Sequence, residues 1–461
     1  MRNLKKKQPQ NNLLQRGSMP LFIGLGGVAL CAAVVVYVWI PSLLSSSYER
    51  AGVAAVVNEV LIDGEATSTP ETITQANPYA PLYIPTPEPM KAIYMSQCVV
   101  GTPSFRNDLV TLIDETELNA VIIDIKDYTG KISFPTTNPL LADSVSDACG
   151  ANDMASFVRS LKEKGIYVIG RITVFQDPYF TAKHPELAVK KASNKEANWK
   201  DNKGLSFIDV SAKPYWEYVV ALSKEARALG FDELNYDYVR FPSDGPMQDI
   251  YFPHSGTTPK PEALEKFFAY LNKEVKPTGA TMSADLFGMT MTNTDDLNIG
   301  QVLERALPYF DYIMPMVYPS HYPKSFLGLG NPNTNPYLVV NYSMKEGVRR
   351  TTSETSTVKT LTSEPIYTMV TATSSDGTVS TTQVFSAYKK PAYSQLKLRP
   401  WLQDFDYGGT YDAKEVRAQI QATYDAGLTS WLLWAPSNRY TKGALEPFYK
   451  APDTSSDAET E

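Results

Sequence analysis

Histidine and cysteine are scarce in this chain of 461 residues, at three residues each. The histidines, His184, His254 and His321, are widely separated, so a histidine-rich zinc site is not expected. A Ser-His-Asp triad has few histidines to draw on, and neither a G-x-S-x-G motif nor a P-loop is present. Carboxylates are what remain in quantity. We expect chemistry without a cofactor or catalytic metal, and clustered aspartates leave a hard cation such as Ca²⁺ or Mg²⁺ as the alternative.

Positive charge is also sparse outside the N-terminus. The formal net charge is -7, yet residues 1–19 contain five basic residues and no acid, so the rest of the chain is more acidic still. Proteins bind nucleic-acid phosphates through basic surface, and no basic stripe occurs beyond residue 19. Nucleic acid is therefore not expected as a partner.

One long apolar run interrupts this otherwise mixed sequence, at residues 21–40 (LFIGLGGVALCAAVVVYVWI). Its length suits a helix crossing a hydrocarbon core of about 30 Å. The preceding basic residues predict a cytoplasmic tail at 1–20, a single transmembrane helix at 21–40 and an extracytoplasmic body at the cell membrane. A cleaved signal peptide is the alternative, but its apolar region is usually about 7 to 15 residues long.

The segments around the main body have their own composition. Residues 41–88 become rich in Pro and Thr, which predicts an extended stalk or linker, and the acidic residues 451–461 predict a disordered tail. Cys98 and Cys149 lie beyond the apolar run, where a disulfide could form. Two unpaired thiols are equally compatible with the sequence.

Short apolar runs alternate with amphipathic helical patterns across residues 89–450, as in repeated βα units. The predicted strands are 92–100, 120–126, 167–174, 233–239, 281–286, 312–318, 398–405 and 430–435. Eight repeats predict an α/β fold, a (β/α)8 TIM barrel. A doubly wound open sheet is the alternative, but no G-x-G-x-x-G follows the first run. A Thr/Ser-rich insertion at 351–395 fits either a β excursion or a disordered surface insert.

Polar residues stand near the ends of almost all predicted strands, where the active site of such a barrel forms. The candidate substrate-binding residues are Asp124, Lys126, Asp127, Arg171 and Arg240, with the aromatic residues Tyr318, Trp401 and Trp434. Each charged residue alone could form a satisfied core ion pair, but charges from several strands favour one shared pocket. The rings could stack on sugar faces, although ordinary packing explains most such residues.

Carboxylates end three of the predicted strands: Asp237 the fourth, Asp285 the fifth and Asp404 the seventh. Paired carboxylates suit glycoside hydrolysis, in which one protonates the leaving oxygen and the other attacks the anomeric carbon or activates water. The two must be held in different environments. Arg171 is the expected partner of Asp237, because residues three apart on one strand, such as Asp237 and Arg240, point to opposite faces.

Six sequence blocks carry a resemblance to a known family: NAVIIDIKDYTGKISF (119–134), GIYVIGRITVFQDPYF (165–180), residues 207–245 with DELNYDYVRFP, SADLFGM (283–289), YIMPMVYPSHY (312–322) and WLQDF (401–405). Over about residues 90–450 the chain resembles the bacterial family named "putative glycosyl hydrolase domain", which is distantly similar to α-amylase-like barrels. The resemblance implies Asp237 as nucleophile and Asp404 as the third acid. It places the general acid at Asp285, where α-amylase-like enzymes have Glu. The shorter side chain leaves open a wider, water-holding site or a different acid, Asp124 or Asp127.

The sequence therefore predicts a membrane-anchored, extracytoplasmic hydrolase of a polysaccharide. Asp237 and Asp285 would carry the chemistry, and Asp404, Asp124, Lys126 and Arg171 would position the substrate. The competing hypothesis is a catalytically inactive barrel that binds glycan and serves as an envelope scaffold.

Overall fold

The computed structural model describes residues 81–448. The predicted tail 1–20, the transmembrane span 21–40, residues 41–80 of the predicted stalk and the tail 451–461 lie outside the described residues. Within 81–448 no helix combines the length and the apolar character needed to cross a membrane. The last residues of the predicted stalk contact the barrel: the Ile84 N–H donates to Asp232, and Lys162 donates to the Leu82 carbonyl.

Eight parallel strands form a closed barrel. They are β1 (Lys91–Met95), β2 (Ala120–Lys126), β3 (Tyr167–Thr173), β4 (Glu233–Asp237), β5 (Thr281–Phe287), β6 (Tyr312–Met316), β7 (Trp401–Gln403) and β8 (Trp431–Trp434). Each strand pairs with the next along the chain, and β8 pairs with β1. The predicted barrel is confirmed and the open sheet is excluded.

Helices cover the outside of the barrel. They are α1 (Gln97–Val100), α2 (Pro103–Glu115), α3 (Met154–Glu163), α4 (Pro178–Lys183), α5 (Lys213–Ala228), α6 (Lys260–Val275), α7 (Leu303–Ala306), α8 (Pro336–Thr352) and α9 (Ala413–Asp425). The strands of a parallel sheet are buried on both faces. On the outer face of the barrel, α3 buries Phe157, Val158 and Leu161 in the core. The strand prediction for 92–100 was too long, because the chain turns after Met95 into α1, with the Ser96 N–H donating to the Asn438 side chain.

Side chains fill the interior of the barrel, and charge at its N-terminal end is structural. Glu233 opens β4 and forms a fully buried ion pair with Arg399 at 3.2 Å, and the Tyr167 hydroxyl donates to the same carboxylate at 3.0 Å. Residues at the N-terminal end of such a barrel usually serve stability, whereas the active site lies at the C-terminal end.

The insertion at 351–395 contains an antiparallel hairpin of Pro365–Thr373 and Val379–Lys389. Nearly all residues of both strands are exposed. Of the two forms that the sequence allowed, the structure has the β excursion.

A disulfide joins Cys98 in α1 to Cys149 in the loop before α3. The sequence had left this pairing open. The bond links residues 51 positions apart and so restricts the unfolded chain.

Replacing both cysteines, Cys98→Ser with Cys149→Ser, should lower the free energy of unfolding by about 4 kcal/mol, because closing a long loop removes entropy from the unfolded chain. Urea unfolding with and without dithiothreitol measures the effect. The reductant should lower the midpoint of the wild type but leave that of the double variant unchanged. Equal midpoints for the oxidised and reduced wild type would contradict the prediction.

Candidate active site

A cavity of about 300 Å³ opens where the strands end. It gathers seven of the predicted site residues: Arg171, Asp237, Arg240, Asp285, Tyr318, Trp401 and Trp434. Five different strands contribute to this set within their own length, namely β3, β4, β5, β7 and β8. The cavity therefore lies where a barrel of this type places its chemistry.

Arg171 lies at the centre of the charged groups and connects three carboxylates. Its Nη1 is 2.5 Å from Asp124 Oδ1, its Nη2 forms an ion pair with Asp237, and its Nε is 3.7 Å from Asp285 Oδ2. These carboxylates come from β2, β4 and β5, so one guanidinium ties three strand ends together. The Tyr94 hydroxyl also donates to Asp124 at 2.5 Å. Burial raises the pKa of Asp124 despite these contacts.

Asp285 lies in a different environment from Asp237. It is 1 % exposed, and its Oδ1 accepts hydrogen bonds from Trp401 Nε1 at 2.8 Å and Asn235 Nδ2 at 2.9 Å. Burial, followed by the charge of Asp237, raises the pKa of Asp285 well above its usual value, and Arg171 opposes this only in part. Asp237 instead accepts the Tyr238 N–H at 2.5 Å and pairs with Arg171. The two carboxylates thus differ in environment: burial raises the pKa of Asp285, whereas Asp237 forms an ion pair with Arg171.

The backbone after β4 explains how Asp237 and Arg240 reach the same cavity. Tyr238 has a φ of +52°, a left-handed conformation that is costly for a residue other than glycine. The turn breaks the alternation of the strand, so Arg240 lines the cavity instead of pointing away from it. Gln301 braces the same corner by donating to the carbonyls of Val239 and Asp285, at 3.2 and 3.4 Å.

Asp404 does not line the cavity. Its two carboxylate oxygens accept the Thr441 N–H at 2.9 Å and the Thr441 hydroxyl at 2.6 Å. Burial raises the pKa of Asp404. Asp404, the predicted third acid, therefore holds the loop after β8 in place through Thr441.

Lys126 and Asp127 also lie outside the cavity, contrary to the predicted contact with substrate. The pairing of β2 with β3 shifts register between Asp124 and Lys126, which turns Lys126 to the outer face. There Lys126 is fully buried in an ion pair with Asp177 at 2.8 Å. Asp127 accepts the N–H and hydroxyl of Thr129 within a turn.

Aromatic rings form one wall of the cavity. Tyr318 stacks on Trp434 with centroids 5.3 Å apart and planes 26° apart, and Phe405 meets Trp434 edge-on at 5.0 Å. The Trp401 ring differs from these, because its N–H donates a hydrogen bond to Asp285. Trp434 is the partly exposed ring of the three predicted aromatic residues, whereas Tyr318 and Trp401 are buried.

The sequence prediction missed several residues of the cavity, namely Tyr238, Phe287, Gly288, Met289 and Met316. They carry no charge, and their one detectable signal was a position at or just after a strand end. Gly288 is required by space, since a Cβ there would lie 2.5 Å from both the Met316 carbonyl and the Tyr322 hydroxyl.

These features define the class: a (β/α)8 barrel with a carboxylate pair at the C-terminal ends of its strands. The chain belongs to the family described as "Putative glycosyl hydrolase domain", whose model matches residues 92–365 and 362–440. No curated protein matches the chain.

Solved structures of similar fold include the PgaB (BpsB) glycoside hydrolase domain from Bordetella bronchiseptica. That match has 11 % identity and a TM-score of 0.51, and it covers 78 % of this chain and 99 % of that domain. A hypothetical protein from Ruminiclostridium thermocellum is 31 % identical over 42 % of this chain and 96 % of its own, with a TM-score of 0.38. The Bordetella match shows the fold of a glycoside hydrolase domain.

The Asp285→Asn variant should be more stable than the wild type at neutral pH. The pKa of Asp285 is raised on folding, so above about pH 4, the usual aspartate pKa, the unfolded chain binds fewer protons and wild-type stability falls as pH rises. Asparagine does not titrate, so the loss of stability with rising pH is removed. Its amide oxygen can still accept hydrogen bonds from Trp401 and Asn235. Melting temperatures at pH 4 and pH 7 should therefore show a difference in favour of the variant that grows with pH.

Asp153→Asn is a control for which we expect the opposite effect on stability. The Arg106 hydrogen bond lowers the pKa of Asp153, so its stabilising effect is present at neutral pH and lost as pH falls through the lowered value. This variant should be less stable than the wild type at pH 7, with a smaller difference in acid. An Asp285→Asn difference that does not depend on pH would contradict the environment described for Asp285.

Proposed function

We propose that this protein is a glycoside hydrolase that cleaves a polysaccharide with Asp285 as general acid and Asp237 as the ionised partner. The observation that carries the proposal is the contrast between two carboxylates on one guanidinium. Arg171 contacts both, yet burial and the charge of Asp237 raise the pKa of Asp285 well above its usual value. Such a pair supplies an acid for the leaving oxygen and a carboxylate that attacks the anomeric carbon or activates water.

The surroundings of Asp285 also suit the proton transfer itself. When Asp285 gives its proton to the glycosidic oxygen, a negative charge develops 3.7 Å from the Arg171 Nε. The N–H groups of Trp401 and Asn235 already point at its Oδ1 and favour the charged form. Donors fixed in place before reaction stabilise such a developing charge without reorganising.

The test is hydrolysis by the full-length protein on a panel of envelope and extracellular polysaccharides, with new reducing ends counted and the products analysed by mass spectrometry. Wild-type protein should release products, and Asp285→Asn should release far fewer. Anomer analysis by NMR then decides between retention and inversion. Equal product release by the wild type and Asp285→Asn would overturn the assigned pair.

We also propose that residues 21–40 anchor the chain in the cell membrane with the barrel outside the cytoplasm. The length of the apolar run and the basic residues before it support this topology. The Cys98–Cys149 disulfide adds support, since such bonds persist in oxidising compartments. Protease added to cells whose outer layers have been made permeable, with the inner membrane intact, should cut the exposed hairpin of the insertion. Protection until the inner membrane is lysed would refute the topology.

A binding barrel without turnover is the second candidate. One observation favours it: Asp285 is only 1 % exposed and its Oδ1 is occupied by two donors. The double variant Asp237→Asn with Asp285→Asn separates the two functions. Glycan binding that survives in this variant, together with no hydrolysis by the wild type, would establish the binding role.

A further inference from the structure

Arg240 is a buried cation in the cavity that has no ion-pair partner among residues 81–448. It is 7 % exposed, lines the cavity and takes part in none of the ion pairs formed within residues 81–448. Its guanidinium donates from Nη1 to the Phe241 carbonyl at 3.0 Å. Arginine stays protonated in proteins, so this charge is present at every physiological pH.

The surroundings of Arg240 are largely aromatic. Its guanidinium carbon lies 5.0 Å from the ring centroids of both Tyr238 and Phe287 and 5.8 Å from that of Phe207. Such rings attract a cation but do not supply a negative charge. Burial lowers the pKa of Arg240, which reflects this incomplete compensation.

The neighbouring acids compensate for Arg240 only in part, because none of them forms an ion pair with it and the buried ones have other partners. Asp237 is held by Arg171 and the Tyr238 N–H. Asp201 Oδ1 accepts the N–H groups of Lys203 and Leu205, at 2.9 and 2.8 Å. Asp244, the third acid within electrostatic range, is exposed to solvent and forms no ion pair with Arg240.

The other buried arginines of the described region differ from Arg240 in this respect. Arg350 pairs with Glu304, and Arg399 pairs with Glu233. A buried charge without a partner costs several kcal/mol. The position of Arg240, beside the carboxylate pair in one cavity, indicates that the missing counter-charge arrives with the substrate.

We propose that Arg240 binds a carboxylate of the substrate, so that this protein acts on an acidic glycan containing uronic acid residues. The inference rests on the proposed glycoside hydrolase function and narrows its substrate class. A sugar carboxylate matches the fork of donors on a guanidinium and can be bound by two parallel hydrogen bonds. Neutral sugars offer hydroxyl groups alone and would leave the cation of Arg240 without an ion-pair partner.

The first experiment measures binding of glucuronate, glucose and glucose 6-phosphate to the full-length protein by ligand-observed NMR. The wild type should prefer glucuronate to glucose. Arg240→Gln should reduce that preference by about ten- to a hundredfold, the usual range for a lost charge-assisted hydrogen bond. Arg240→Lys should retain part of it, because lysine keeps the charge and loses the fork.

Arg349→Gln is the matched control, since it removes one positive charge from an exposed ion pair with Glu346 on α8. It should keep the wild-type preference. The melting temperature of each variant checks that it is folded. If Arg240→Gln does not fold, the comparison of Arg240→Lys with Arg349→Gln still decides the point.

The second experiment compares hydrolysis of a uronic-acid-containing polysaccharide before and after chemical reduction of its carboxyl groups. The acidic form should be the better substrate for the wild type, and this advantage should be lost in Arg240→Gln. Hydrolysis with equal kcat/KM for the two forms would overturn the inference and leave the hydrolase proposal standing. Glucuronate binding that depends on Arg240, with no hydrolysis of any glycan, would leave the carboxylate site standing and overturn the hydrolase proposal. Stronger dependence on Arg240 for glucose 6-phosphate than for glucuronate would overturn the carboxylate assignment.

Discussion

The Asp237→Asn variant should lose about 10²- to 10⁴-fold or more in kcat, the range for removing one acid or base group. In the proposed mechanism Asp237 is the ionised member of the pair, and asparagine can neither attack the anomeric carbon nor take a proton from water. The amide would also bring an N–H group towards Arg171, where the carboxylate now forms an ion pair. Initial rates on a cleaved polysaccharide measure the loss, and the melting temperature shows whether the variant is folded.

Asp404→Asn is the matched control for this loss. It makes the same chemical change at the end of the barrel that carries the cavity, but Asp404 contacts Thr441 and does not line the cavity. Its activity should stay within a few-fold of the wild type. A loss as large as that of Asp237→Asn would show that the α-amylase-like assignment of a third acid was right and that the present assignment of Asp404 is wrong.

Arg171→Met should lower the free energy of unfolding by about 3 to 5 kcal/mol, the cost of breaking a buried ion pair by removing one partner. Three carboxylates, Asp124, Asp237 and Asp285, would lose their shared cation. Without it the pKa of Asp124 and of Asp285 should rise further, since Arg171 lowers both. The unfolded chain then binds still fewer protons than the folded one, so the deficit should grow as pH rises above about 4.

Urea unfolding of Arg171→Met at pH 5 and pH 8 measures this deficit and its direction. Arg106→Met is the comparison, because the Asp153 partner of Arg106 is half exposed and the loss of this single pair should cost less than the loss of a cation shared by three buried carboxylates. Arg171→Lys should not restore the wild type, since one ammonium group cannot reproduce contacts from three guanidinium nitrogens. A midpoint for Arg171→Met equal to that of the wild type at both pH values would contradict the role of Arg171.

The barrel could be predicted from the sequence because buried parallel strands are continuous apolar runs. The predicted strand 120–126 coincides with β2, and most other strands deviate by a few residues. The exceptions have local causes. The run 398–405 contains Arg399, whose side chain pairs with Glu233 at the N-terminal end of the barrel. The strand β7 itself contains only Trp401–Gln403.

The candidate site could be predicted only in part, because strand ends are visible in the sequence but side-chain directions are not. Asp237, Asp285 and Arg171 end or lie within regular strands, and the structure places all three in one cavity. Lys126 was misplaced by a register shift that depends on the pairing of β2 with β3. Arg240 was expected to point away from Asp237, and the left-handed backbone of Tyr238 reverses that expectation.

The different protonation of the two carboxylates on Arg171 is the central claim, and difference infrared spectroscopy tests it most directly, without any substrate. The spectrum of the wild type minus that of Asp285→Asn at neutral pH should contain the carbonyl band of one protonated carboxyl group, because burial and the charge of Asp237 raise the pKa of Asp285. A difference spectrum that contains only the bands of an ionised carboxylate would contradict the account.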